Sequence, residues 1–140
     1  SNLGDLAPGT TVNVERSFRV GDEVGGHILS GHIAGVAVVS DITSDDGHRL
    51  VTFAVPQEWM GYLLLKGFVA LNGVSLTIAE IDRAAATMAV SLIPETLART
   101  TFSRVEVGDR INLEVDSQTQ AIVDTVRTAL QDESWREAIG

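Results

Sequence analysis

The sequence predicts an all-β fold: a six-stranded antiparallel closed Greek-key barrel with short helices and a C-terminal α-helix. Three observations carry this. Short runs rich in Val, Ile and Thr recur up to Asp116, and turn signals such as Asp45-Asp46-Gly47, Asn72-Gly73 and Gly108-Asp109 separate them. Pro56 and Pro94 open only brief helical stretches between the runs. Strands this short and evenly spaced close most easily into a barrel, which removes exposed edges.

In order along the chain, Thr11–Phe18 alternates Val12 and Val14 with polar neighbours and reads as a strand. Gly31–Ser40 is small and β-branched, and His48–Val55 returns after the Asp45-Asp46-Gly47 turn. Pro56 starts a short helix through Trp59, Leu63 and Leu65, which Gly67 ends. Phe68–Leu71, Val74–Ile81 and Thr87–Leu92 are further strands, the first two joined by the tight-hairpin pair Asn72-Gly73. Pro94 opens a second short helix through Leu97, and Arg110–Val115 is the last strand. Ser117 is a candidate cap for a helix whose Ala121, Ile122, Val126, Ala129 and Leu130 form one stripe. That stripe either packs back on its own barrel or pairs with copies of itself. Glu133–Gly140 is expected to fray.

At 140 residues and 44% hydrophobic content the chain holds one domain with a real core. The net charge of −9, with ten scattered basic residues, argues against nucleic-acid binding and is read as solubility. No run of about 18 apolar residues marks a membrane span. No signal peptide is read at Ser1-Asn2-Leu3. The absence of cysteine excludes disulfides and thiolate metal sites, and cytoplasmic is the default expectation.

The segments 2–15 and 101–114 read as one strand written twice. Gly9 matches Gly108, Asn13 matches Asn112 and Glu15 matches Glu114, and the apolar positions agree. Such a period suggests tandem copies of one domain, of which the second is whole and only the tail of the first is present.

Four segments could carry chemistry. Gly25-Gly26-His27-Ile28-Leu29-Ser30-Gly31-His32 packs three glycines and two histidines together. It lacks zinc-ligand spacing, so no metal is expected, and it also reads as a bulged strand with histidines satisfied by backbone. Ser75 and Thr77 share one strand face, where two hydroxyls suit a polar heterocycle or polyol, or simple half-buried packing. Ile93-Pro94-Glu95-Thr96 passes into a helix whose first amides could hold an acceptor, or is a connector. Lys66 and Asp116 sit at element ends, each a surface charge, a cap or more.

Together these segments resemble riboflavin synthase, the bacterial α-subunit type built from two tandem barrels. The resemblance rests on Val12-Asn13-Val14-Glu15-Arg16, Gly25-Gly26-His27 through Ser30-Gly31-His32, Lys66-Gly67 and Gly73-Val74-Ser75-Leu76-Thr77. It continues through Ile93-Pro94-Glu95-Thr96, Thr100-Thr101 and Asn112-Leu113-Glu114-Val115-Asp116. It implies that residues 1–16 are the last strand of a preceding barrel and a linker, 17–116 a lumazine-binding barrel, and 117–140 an oligomerisation helix. It implies dismutation of two molecules of 6,7-dimethyl-8-ribityllumazine to riboflavin and a ribitylamino-pyrimidinedione, with no cofactor. It implies a homotrimer whose sites lie between unlike barrels of neighbouring subunits.

Carried over by residue, the resemblance places substrate contacts on Gly31, His32, Ile33, Lys66, Ser75, Leu76 and Thr77. It adds Ile93, Pro94, Glu95, Thr96, Leu97 and Ala98. His32, Ser75 and Asp116 are the expected catalytic polar group. With one barrel, binding is expected to survive while turnover is impaired. A non-catalytic lumazine or flavin carrier is the alternative.

Overall fold

The computed structural model describes residues 1–45 and 47–132. Six strands form the barrel: β1 (Gly35–Asp45), β2 (His48–Ala54), β3 (Phe68–Leu71), β4 (Val74–Asp82), β5 (Thr87–Leu92) and β6 (Arg110–Val115). Every pairing is antiparallel, and the order β1-β2-β5-β4-β3-β6 closes on itself through β1 and β6. The β3–β4–β5 meander is therefore inserted between β2 and β6, as a Greek-key connection produces. Irregularities between Val39 and Asp41 and between Ile78 and Glu80 bend β1 and β4 around the closure.

Alternation sets which side of each strand faces in. Val51 and Phe53, Val69 and Leu71, and Ile111 and Leu113 fill the interior with almost no exposure. Arg49 on β2 closes one end, donating to the Phe102 and Val105 carbonyls at 2.8 and 2.7 Å. Phe102 is thereby held in the core.

Several expectations need correction. Thr11–Phe18 is not a strand: it has no ladder partner among the described residues, and Val14 is 83% exposed. The strand expected at Gly31–Ser40 starts at Gly35 and runs on to Asp45. Gly31 has φ 78, outside the strand region, and its amide bonds to a side chain. The helix after Pro56 is a 3-10 segment, Gln57–Tyr62, ending well before Gly67. Its three-residue period aligns Met60 and Leu63 into the core, while Leu64 and Leu65 stay outside. Asp46 and Glu133–Gly140 lie outside the described residues.

A short helix α1 (Pro94–Arg99) follows β5, and α2 (Ser117–Gln131) follows β6. The cap of α2 is Asp116 rather than Ser117, its Oδ2 accepting the Thr119 amide at 2.9 Å and hydroxyl at 2.7 Å. Helix α2 docks through its polar face. The Tyr62 hydroxyl donates to Asp124 at 2.6 Å and accepts from Arg127 at 3.0 Å, and that guanidinium also lies over the Tyr62 ring. Gly61 leaves room for it, since a Cβ there would collide with Arg127. The apolar stripe, with Ile122, Val126 and Leu130, is consequently left exposed. Among the described residues no helix is long and apolar enough to cross a membrane.

Candidate functional site

Residues 1–34 contain no strand and cross the outer face of β3, β4 and β6. Asn112 and Glu114 point outward from β6, yet this cover leaves each only 7% exposed. Between cover and barrel lies a cleft of about 1000 Å³. Residues 13–18, the loop 23–31, Ser75, Glu114 and the chain from Ala98 to Thr101 line it.

Three anchors shape the cleft. Glu114 Oε1 accepts the Ser30 amide at 2.7 Å, the Ser30 hydroxyl at 2.9 Å and the Gly31 amide at 3.1 Å. One carboxylate thus fixes the loop that carries Gly31, His32 and Ile33. Asn72 is the second anchor. Its left-handed backbone (φ 46) makes the β3–β4 turn, while its side-chain oxygen accepts the Asn112 amide at 2.8 Å and the Asn2 side chain at 3.3 Å. The third is His27. Its amide donates to Ser75 Oγ at 3.1 Å, its Nδ1 lies 2.7 Å from the same oxygen, and its ring stacks on Phe68 with centroids 5.1 Å apart. Gly26 permits this approach: a Cβ there would strike the Ser75 hydroxyl and come within 2.8 Å of its Cβ.

The register brings Asp116 to the same place. Val69 faces Val115, so Phe68 and Asp116 lie at neighbouring ends of β3 and β6. Burial pushes the Asp116 carboxyl up, but hydrogen bonds from the Thr119 hydroxyl and from the Thr119 and Gln118 amides outweigh it. With the charge of nearby His27 they hold the carboxyl below its ordinary range. His27 Nε2 is buried without a partner among the described residues. The chain therefore offers a hydroxyl held by an imidazole, with an ionised carboxylate close by. Such a group can pass or share a proton at Ser75 Oγ.

The residues expected from the sequence divide. Gly31, Ile33, Ser75 and Ala98 line the cleft. Thr77, opposite Phe68, and Lys66, whose amide bonds the Ile78 carbonyl at 2.9 Å, continue the outer face beyond His27. Leu76 turns inward to the core. His32 is exposed, and its ring has no partner among the described residues. Ile93, the residue that caps α1, is exposed, Pro94 is the first helical residue, and Glu95 pairs with Arg99. The Thr96 carbonyl accepts both the amide and the hydroxyl of Thr100, and Leu97 packs on the core. His27 and Phe68 were not singled out as contacts. The readable signal was Gly26, a residue without a side chain immediately before a histidine.

Known proteins resemble this chain over most of its length. The lumazine binding domain family matches residues 30–116. A riboflavin synthase of Escherichia coli (strain K12) is 47% identical over 131 residues, covering 93% of this chain and 61% of that protein. One of Chlamydia trachomatis serovar D is 42% identical over 126 residues, covering 90% and 60%. The chain thus spans about three fifths of the length of these curated relatives. Among solved structures, LumP complexed with 6,7-dimethyl-8-(1'-D-ribityl) lumazine superposes with a TM-score of 0.69 at 28% identity, covering 81% of this chain and 60% of LumP. LumP complexed with riboflavin gives 0.61 at 30% identity, covering 69% and 52%. With the family match extending over most of the chain, this protein belongs to the lumazine binding domain family.

Proposed function

We propose that this chain supplies one half of a riboflavin synthase active site. The reaction takes two molecules of 6,7-dimethyl-8-ribityllumazine and moves a four-carbon unit from one to the other. It yields riboflavin and 5-amino-6-ribitylamino-pyrimidinedione. The observation that carries the reading is the Ser75–His27 pair at the lip of a cleft in a chain 47% identical to a riboflavin synthase.

In this reading the lumazine lies against the outer face of β3 and β4. Ser75 Oγ meets the heterocycle, with His27 Nδ1 and Asp116 setting where its proton resides. Thr77 and Lys66 serve the ring edge and ribityl chain, and the Ile93–Ala98 segment borders it. Gly31, His32 and Ile33 sit on the loop that Glu114 pins, and the exposed His32 serves a second bound molecule. The chemistry removes a proton from a methyl group beside an electron-poor ring. Holding two heterocycles in register is worth about 7–11 kcal/mol in such bimolecular steps, more than any single base contributes. The second half-site comes from a first-repeat barrel. The protein works in the cytoplasm as a homotrimer joined through α2, a role that the exposed Ile122, Val126 and Leu130 stripe suits.

A carrier role is the second reading, favoured by the likeness to LumP complexes with lumazine and riboflavin. Incubating the chain with 6,7-dimethyl-8-ribityllumazine while following ligand fluorescence and riboflavin absorbance tests both. A fluorescence change without riboflavin, followed by riboflavin once a first-repeat barrel is added, supports the half-site. Binding with no turnover in either mixture supports the carrier. No fluorescence change at all would remove the reading.

A further inference from the structure

The repeat seen in the sequence is also a repeat in hydrogen bonding. Residues 2–15 form an arm on the barrel, and 101–114, ninety-nine positions further along, form the face on which it sits. The Asp5 amide donates to the Asn2 carbonyl at 3.2 Å, and the Arg104 amide donates to the Thr101 carbonyl at 3.1 Å. The Ala7 amide donates to Thr10 Oγ1 at 3.1 Å, and the Glu106 amide donates to Asp109 Oδ2 at 2.9 Å. Gly9 and Gly108 make the same turn, with φ 94 and 97.

The contact between the two segments is reciprocal. Asn112 Oδ1 accepts the Asn2 amide at 2.7 Å, and Asn13 Oδ1 accepts the Thr101 amide at 2.9 Å. Exchange of each residue for its counterpart turns one bond into the other. That is the signature of a two-fold, self-complementary surface, so a second copy of the barrel face should in principle fit where the arm now sits.

One position breaks the symmetry. Asp5 pairs with Arg110 at 3.2 Å, but the counterpart of Asp5 is Arg104. If two barrel faces met, Arg104 of each would lie where Asp5 lies, against Arg110 of the other, and the clash would occur twice. Arg104 and Arg110 already border one depression, and Asp109, the acid in its lining, accepts the Glu106 amide. We propose that the Thr101–Asn112 face is a two-fold docking surface that accepts a first-repeat segment and rejects a second copy of itself, with Asp5 and Arg104 as the discriminating pair. The proposal stands apart from the enzymatic reading, because it is read without ligand.

The test compares sedimentation of the full chain carrying N2A, D5R and N13A, which removes the side-chain bonds that hold the arm to Asn72, Arg110 and Thr101, with the same chain also carrying R104D. All four positions lie outside the core, and thermal unfolding checks that the barrel persists. At low ionic strength the arm-released chain keeps the assembly state of the unmodified protein. Adding R104D doubles its mass, with self-association strengthened at least about tenfold and lost again in high salt. Doubling with Arg104 still in place would overturn the rejection. No doubling with R104D would overturn the two-fold surface itself.

Discussion

Ser75 and His27 are joined twice through one oxygen: the His27 amide donates to Ser75 Oγ at 3.1 Å while Nδ1 lies 2.7 Å from it. The hydroxyl is therefore held by backbone and ring together. The variant Ser75→Ala should weaken 6,7-dimethyl-8-ribityllumazine binding about tenfold, the worth of one hydrogen bond near 1.4 kcal/mol. Fluorescence titration measures it, and an unchanged affinity with an intact barrel would take Ser75 out of the site.

Gly26→Ala places a methyl group against Ser75. Neither partner is flexible there, so the loop bearing His27 must move off β4. We expect a loss of ligand affinity at least as large as that of Ser75→Ala. The unfolding midpoint should change little, because Gly26 is exposed and outside the core. Parallel titration and urea unfolding separate the two effects.

Asp116 caps α2, and Asp116→Ala should cost about 1 kcal/mol of stability. Its carboxyl titrates lower in the fold than the ordinary 3.8, so the unfolded chain takes up the proton first as pH falls. The stabilisation is complete above that ordinary value and disappears as pH drops through the folded one. Melting temperatures between neutral and acid pH should therefore converge for native protein and Asp116→Ala.

Tyr62 is the single tyrosine in the chain, so an ultraviolet titration reports it alone. The hydrogen bond to Asp124, aided by burial and the Asp124 charge, raises its pKa above 10.0 despite the opposing pull of Arg127. The stability it contributes is present below that value and lost as pH rises through the folded one. Asp124→Asn should move the titration down toward 10.0. No movement would show that α2 does not dock through this pair.

Much of the barrel was legible because each strand carries its own alternation and the tight turns carry their own residues. Phe68–Leu71 and Val74–Ile81 sit where Asn72-Gly73 predicts them, and Asp82 only extends the second. Thr11–Phe18 misled because alternation describes a strand's faces but does not supply a neighbour; among the described residues none pairs with it. The start of β1 misled because Glu114 takes the amides of Ser30 and Gly31, a long-range side-chain contact that no local pattern announces. Helical spacing showed the stripe on α2. It could not show that Tyr62 would draw the opposite face inward. In the site, Ser75 was readable from its strand position, whereas His27 needed the fold to bring it across to β4.

Closure of the barrel has a kinetic consequence for the arm. Every strand is paired on both sides, so the arm is attached through asparagine side chains rather than as another rung of the ladder. Lifting it breaks no strand pairing. The Thr101 amide, bonded to Asn13, can then exchange its hydrogen whenever the arm lifts, while those of β5 and β6 wait for the whole barrel to open. The chain thus runs on two clocks, a fast one for the cover over its cleft and a slow one for the scaffold beneath.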